Sequence, residues 1–378
     1  MTGLFASRIF DGLGFRPGGT VLIEGQCIAG IVDGAERATA RLPDGAILAP
    51  GFVDLQVNGG GGAMFNDAPD GAMFNGAMLA RIAGAHAADG TTSIVPTLIS
   101  GSRRAIDAAM ACVRDASDCA AIAGLHVEGP FIARLRRGIH PQAALRALGA
   151  EDLAQLIACA AAGHKLLLTV APEEVAPSTI AALARAGVAV FLGHSDATFE
   201  QAAAALAAGA RGFTHLFNAM SPFASRAPGL VGAALADASA HAGVIADGHH
   251  VHPAALRVAY RALGPARLFL VSDAMATAGS DISGFDLYGV PIRLAEGRLT
   301  DAAGTLAGAH LTLASAVRYA VASAGIPLAD ALRMATSTPA AALVLADRGR
   351  IAPGQRADMV ALDASLAVVG VWQGGHAG

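Results

Sequence analysis

The sequence predicts an α/β protein: a (β/α)8 TIM-like barrel carrying a small β-sandwich domain built from both chain termini. Three observations predict it. Eight short apolar segments alternate with alanine-rich helical segments between Gly51 and Thr336. Either side of that stretch, β-branched and aromatic runs are broken by glycine turns. Four apolar segments also end in residues that can bind a metal or move a proton: Gly124–Glu128, Val188–His194, Gly212–His215 and Leu268–Asp273. In a parallel α/β barrel, strand ends of one polarity meet at one mouth, where catalytic residues sit.

Residues 1–49 read as hairpins. Gly3–Phe10, Gly19–Glu24, Cys27–Val32 and Ala46–Ala49 are short, and no helical period precedes Pro50. From Gly51 the texture alternates. Strand Phe52–Val57 precedes a helix near Gly76–Ala88, and strand Thr91–Thr97 precedes helix Arg103–Ala116. Ala121–Val127 leads through a long loop to a helix near Ala150–Ala162. Lys165–Val170 pairs with helix Ser178–Ala186, and Val188–Leu192 with helix Thr198–Ala208. Gly212–His215 ends in a long loop. Ala240–Ala246 is followed by helix Pro253–Leu263, whose proline sits at an allowed first-turn position. Leu268–Ser272 is the eighth strand, and helices near Ala309–Ser323 and Leu328–Thr336 close the region. Runs such as Leu166–Val170 are apolar on both faces, as strands covered on both sides should be. After a turn at Gly349–Gln355, Ala357–Asp363 and Ala367–Trp372 return to strand texture. The expected division is 1–49 plus 345–378 for the small domain and 50–344 for the catalytic barrel.

Composition narrows the function. The 378 residues include 26 Lys+Arg and 30 Asp+Glu, a net charge of −4, which gives no footprint for nucleic acid or an anionic membrane. Hydrophobic residues reach 54%, but alanine supplies much of this, and windows such as Gln201–Ala208 are too short to span a bilayer. Met1–Ala6 shows no basic-then-apolar secretory pattern. Cys27, Cys112, Cys119 and Cys159 are scattered, without a CxxC pair. They read as buried or partly buried free thiols in a reducing cytoplasm.

Glu128, His194 and His215 form the central set. One carboxylate and two imidazoles, with a fourth position open for water, describe a catalytic zinc site. The ion would lower the pKa of that water toward ~7. Each residue alone reads as an ordinary polar residue at a loop start; the set, each at its strand end, reads as a metal site. Asp273 either caps the loop after its strand or accepts a proton at the mouth. Gln56 and Asn58 share a face with Asp54, directed at the mouth. Amide side chains are poor zinc ligands, so a second metal is disfavoured there. The run Gly59–Gly62 either lets backbone approach a ligand or forms a plain loop.

The loop after His215 carries Asn218, a polar substrate contact, and Arg226, an anion binder by geometry that on the residues alone reads as a surface arginine. One histidine of Asp247-Gly248-His249-His250-Val251-His252 is placed to polarise a carbonyl. His140 lies in the loop behind Arg136-Arg137-Gly138. His126, on the face of Glu128, packs or supports by a hydrogen bond. His86, His164, His241, His310 and His376 read as structural or solvated.

Leu125-His126-Val127-Glu128-Gly129-Pro130-Phe131, Gly193-His194-Ser195-Asp196-Ala197-Thr198, Thr214-His215-Leu216-Phe217-Asn218-Ala219-Met220 and Ala246-Asp247-Gly248-His249-His250-Val251 together resemble the N-acetylglucosamine-6-phosphate deacetylases of the amidohydrolase superfamily. The match runs from about Pro50 to the C-terminus, and Gly349–Asp358 resembles the superfamily's closing signature. The resemblance implies one divalent ion per subunit on Glu128, His194 and His215: zinc first, with Fe2+, Co2+ or Mn2+ as alternatives. It implies Asp273 as general base and then acid, and His250 on the acetamide carbonyl. His140, Asn218 and the backbone of Ala219 would line the sugar-phosphate pocket. Arg226 would reach the phosphate in a neighbouring subunit, which implies a homodimer. The implied reaction is hydrolysis of N-acetyl-D-glucosamine 6-phosphate to D-glucosamine 6-phosphate and acetate. The alternative is deacetylation of the galactosamine epimer or another acylated amine. Three departures stand out: Ser272 for the usual threonine, Gly60-Gly61 where a cysteine is common, and Ala227 where Arg226 is usually followed by glutamate. The last removes a charge beside the arginine and bears on phosphate or epimer preference.

Overall fold

The computed structural model describes residues 1–66, 74–116, 119–163 and 165–378. The chain opens with β1 (Thr2–Phe10), β2 (Phe15–Glu24), β3 (Cys27–Asp33), β4 (Ala40–Arg41) and β5 (Ile47–Pro50). The barrel starts with β6 (Phe52–Val57), followed by the small hairpin β7 (Gly59–Gly60) and β8 (Ala63–Met64). Then come α1 (Gly76–Ala88), β9 (Thr91–Ile99), α2 (Arg103–Asp115), β10 (Leu125–Glu128), α3 (Ala150–Ala161), β11 (Leu166–Val170) and α4 (Pro177–Arg185). The barrel continues with β12 (Ala189–Leu192), α5 (Phe199–Ala207), β13 (Gly212–Phe213), α6 (Gly229–Ala236), β14 (His241–Ile245), α7 (Pro253–Leu263) and β15 (Leu268–Val271). Four strands follow: β16 (Gly284–Leu287), β17 (Val290–Ala295), β18 (Arg298–Thr300) and β19 (Leu306–Ala309). The chain ends with α8 (Leu313–Ala322), α9 (Leu328–Ala335), α10 (Ser337–Ala342), β20 (Met359–Leu362), β21 (Val368–Gln373) and β22 (His376–Ala377).

Eight parallel strands run β6-β9-β10-β11-β12-β13-β14-β15 in neighbour order, the pattern that eight β/α units impose when crossovers are right-handed. Closure between β15 and β6 is made at the end of β6 and just past the end of β15. Asp273 N–H donates to Gln56 O at 3.0 Å, and Asn58 and Gly59 N–H both donate to Ala274 O at 2.9 Å. A side chain completes the seam: the Asp54 carboxylate accepts the N–H groups of Gln56 and Ser272, each at 3.2 Å. Burial there pushes the Asp54 pKa up to about 7. Asp54 thus lies one layer below Gln56 and Asn58, inside the barrel rather than at its mouth.

The two chain ends do build a small β domain. Its strands form one continuous sheet, β22-β21-β20-β5-β1-β2-β3, with β4 alongside β1. The sheet wraps a core of Leu4, Ile9, Val21, Ile23, Ile28, Leu48 and Met359. Its central seam pairs β5 with β20, Pro50 opposite Met359.

Three corrections follow. The third barrel strand begins at Leu125, not Ala121, because Ala121–Ala123 hold only an isolated bridge to Ile94 and a turn. The stretch between β15 and α8 is not a plain connection: β16–β19 form an antiparallel sheet over Leu287, Ile292, Leu299 and Met275. Cys27 is exposed at the edge of the small sheet, whereas Cys112 and Cys159 are buried; all four thiols are free. No helix among the described residues is long and apolar enough to cross a membrane.

Candidate active site

The barrel mouth opens into a cavity of about 460 Å3. Glu128 ends β10, His194 follows β12 by two residues, His215 follows β13 by two, and Asp273 follows β15 by two. Each of the last three has a positive φ, at 48°, 30° and 50°. Such conformations cost L-residues roughly 1–3 kcal/mol and concentrate at functional sites. Here they turn each side chain over the barrel axis as soon as its strand ends.

Glu128, His194 and His215 converge. The His194 and His215 Nε2 atoms are 2.9 Å apart, and Glu128 Oε1 lies 3.3 and 3.0 Å from them. Two ligand atoms of a tetrahedral zinc, each about 2.05 Å from it, stand about 3.3 Å apart. The triangle therefore has the size of one face of such a coordination shell. Its chemistry fits as well. His194 Nδ1 lies 2.8 Å from Arg136 O, a carbonyl that can only accept, so Nδ1 carries the hydrogen. A neutral His194 then presents a bare Nε2 to the triangle, as a metal ligand must. His215 Nδ1 has no hydrogen-bond partner. Among the described residues this is the one cluster of its kind, and it could hold a metal ion.

Burial alone would raise the Glu128 pKa, but its pairing with the His194 and His215 imidazoles outweighs it and holds the carboxyl well below its usual range. The same pairing lifts His215 against its desolvation. Burial, and then the charge of Glu128, push Asp273 up to about 6. Gln56 and Asn58 act as donors. Gln56 Nε2 lies 3.0 Å from Glu128 Oε1 and 3.2 Å from Asp273 Oδ1, and Asn58 Nδ2 lies 2.7 Å from Asp273 Oδ1. Amide hydrogens occupy the space between the two carboxylates.

His140, Asn218, Ala219 and His250 all line the cavity. His140 is buried against Ser100 Oγ at 2.7 Å, with its ring 4.4 Å from that of His194. Burial, then the nearby His194, hold its pKa well below the ordinary value, so it sits neutral beside the cluster. Asp247 Oδ2 lies 2.6 Å from His250 Nδ1. Arg226 is exposed in the Pro222–Ala227 loop and is not among the cavity's lining residues. His126 lies beneath Glu128, bridging Thr97 Oγ1 at 3.3 Å and Thr169 Oγ1 at 2.8 Å, and burial lowers its pKa to about 4. Gly59 and Gly60 are neither ligand-facing nor plain loop. A Cβ on Gly60 would stand 2.8 Å from His86 Nε2, and that nitrogen lies 2.9 Å from Gly59 O. His86 is thus structural. His310 bonds Thr277 Oγ1 at 3.0 Å, His241 is partly buried and His376 exposed, while His164 lies outside the described residues. The sequence reading missed one wall: Gly304, Thr305, Leu306 and Gly308, from the β18–β19 hairpin. It also gave Asp247 no role, although Asp247-Gly248 is a turn signal.

Comparison with known proteins bears on this geometry. The model of the amidohydrolase family matches residues 47–376. The chain belongs to the amidohydrolase family. This amidohydrolase is 42% identical to an N-acetylgalactosamine-6-phosphate deacetylase of Shewanella sp. (strain ANA-3), over 90% of this chain and 85% of that one. It is 34% identical to the N-acetylglucosamine-6-phosphate deacetylase of Haemophilus influenzae, over 93% and 92%. Its fold matches the crystal structure of N-acetylglucosamine-6-phosphate deacetylase from Pasteurella multocida with a TM-score of 0.94 and 32% identity, over 100% of this amidohydrolase and 99% of that chain.

Proposed function

We propose that this amidohydrolase removes acetate from N-acetyl-D-glucosamine 6-phosphate, leaving D-glucosamine 6-phosphate. The observation that carries the reading is the Glu128–His194–His215 triangle with Asp273 beside it, lining a cavity of about 460 Å3 at the barrel mouth. A divalent ion on that triangle, zinc by its donor set, would act as a Lewis acid and acidify the attacking water. Glu128, His194 and His215 would hold a single ion, because Gln56 and Asn58 fill the neighbouring space with hydrogen-bond donors. Those donors both point at Asp273 Oδ1, which leaves Oδ2 to take the proton of the attacking water. Asp273 then returns that proton to the amide nitrogen as the C–N bond breaks. One carboxyl serves both steps because it is poised between water and amine. His250 donates to the acetamide oxygen, where charge develops. His140, Asn218 and the backbone of Ala219 bound the sugar phosphate. In this reading 50–344 is the catalytic barrel and 1–49 plus 345–378 the small domain. The protein works in the cytoplasm as a homodimer, and Arg226 of each subunit reaches the phosphate in the other. The exposed position of Arg226 supports that last point.

One observation favours a second reading, the galactosamine epimer: the 42% identity is to a deacetylase named for it. Acetate release from both 6-phosphates, before and after chelation and on return of zinc, tests both readings. Metal-dependent turnover of the glucosamine compound is expected. Turnover of the galactosamine compound alone selects the second reading, and release from neither overturns both.

A further inference from the structure

Asp247 has no part in the steps above, yet the end of β14 is built around it. Its Oδ1 accepts the N–H groups of His249 and His250, both at 2.8 Å, closing a tight turn. Its Oδ2 lies 2.6 Å from His250 Nδ1, and both side chains are 7% exposed. Two other elements press on the turn. Gly248 has φ +81°, and a Cβ there would stand 2.8 Å from the hydroxyl of Tyr319 on α8. A Cβ on Gly297, between β17 and β18, would stand 3.0 Å from His249 Nε2.

This arrangement constrains where hydrogens sit. An ionised carboxylate only accepts, so His250 Nδ1 carries a hydrogen. A neutral imidazole has one N–H group. With that hydrogen held by Asp247, Nε2 of the neutral ring is bare and cannot donate to a carbonyl oxygen. Only the doubly protonated ring donates from both nitrogens.

We propose that Asp247 is a positioning residue that fixes the Nδ1 hydrogen of His250, so that His250 contacts the substrate oxygen as a charged imidazolium donor. The proposal rests on the reading of His250 as the acetamide contact. Its electrostatics are consistent. Burial would raise the Asp247 pKa, but the bond from His250 outweighs it, and Asp247 stays ionised. The charged groups that act on His250 are Asp247 on its own turn and Asp273 after β15; His249 turns toward Gly297, and Tyr319 of α8 lies against Gly248. Asp247 and Asp273 are the acids among them, and each favours the cation.

Asp247→Asn separates this role from a merely structural one. Asparagine Oδ1 can still accept both backbone N–H groups, so the turn is kept. Its Nδ2, however, donates where Oδ2 accepted. That pushes the hydrogen of the neutral ring from Nδ1 to Nε2. The measurement is 15N NMR of histidine-labelled holoenzyme at alkaline pH, with the His250 signals identified by their loss in His250→Gln. The expected result is an Nδ1–H ring in the wild type and an Nε2–H ring in Asp247→Asn. In deacetylation, kcat/KM should drop roughly 10–100-fold in the variant, as when a supporting partner is lost. The alkaline fall of the wild-type profile should disappear with it, because the variant ring donates without a second proton. A wild-type ring protonated at Nε2 alone, or a variant with unchanged tautomer and profile, overturns the proposal. The NMR experiment needs no substrate. A wild type that releases no acetate overturns the deacetylase reading, and the tautomer then decides the hydrogen placement alone.

Discussion

The barrel mouth and the small terminal sheet are built by opposite rules. The sheet core is Leu4, Ile9, Val21, Leu48 and Met359, apolar and fully packed. No non-glycine residue of its strands has a positive φ. The mouth buries Glu128, Asp273, His140, His194 and His215, and places His194, His215, Phe217, Ala219 and Asp273 in the left-handed region. Strain of roughly 1–3 kcal/mol per residue is retained only where the surroundings enforce it. The contrast teaches that stability and chemistry are supplied by different parts of this chain. Substitutions in the two should therefore have separable effects.

The largest expected effect is on turnover. Asp273→Asn should lower kcat about 10^3-fold, the range for loss of a positioned acid–base group. Metal content and thermal midpoint should hold, because the variant removes a buried carboxylate beside Glu128. Loss of folding together with activity would break the comparison. Next comes Leu48→Ala, in the small core. It should cost about 2–5 kcal/mol in a denaturant titration. The kcat of the folded enzyme should stay unchanged; a matching fall in kcat would show that the sheet reaches the mouth.

The smallest effect lies on the barrel's outer wall. Asp152 caps Gly149 N–H at 3.1 Å and pairs with Arg103 and Arg146. Burial opposes its ionisation, but the bond from Arg103 prevails and lowers its pKa. A lowered folded value contributes stability above the unfolded pKa of about 3.9 and loses it as pH falls through the folded one. Asp152→Asn should therefore be less stable than the wild type at neutral pH, with the gap closing on acidification below about pH 4. A gap that persists there would assign the effect to packing.

Much of this was legible in the sequence, and the reasons are physical. Eight strands were readable because buried parallel strands are short apolar runs, as Leu166–Val170 shows. Helices α1 and α7 were readable to the residue, with Asn75 capping one and Pro253 opening the other. Helix α6, Gly229–Ala236, was not: it is buried nearly all round, so it has no polar face to give a period. The β16–β19 sheet escaped because its strands have three to six residues with mostly exposed alternate positions, and β17 contains Pro291. At the site, strand-end residues announced themselves. The donors of Gln56 and Asn58, the burial of His140 and the hold of Asp247 on His250 arise from chain segments brought together only by the closed barrel.

The pairing of β5 with β20 has a consequence for biosynthesis. The two strands are separated by roughly three hundred residues, the kind of distant contact that slows folding. During translation β1 to β5 emerge first, and β5 waits with an open hydrogen-bonding edge until nearly the whole barrel has been made. Open edges on waiting chains are where stray pairing between molecules begins. The nascent amidohydrolase is thus vulnerable at the open edge of β5, and slow elongation or a shortage of chaperones should reveal it as aggregation.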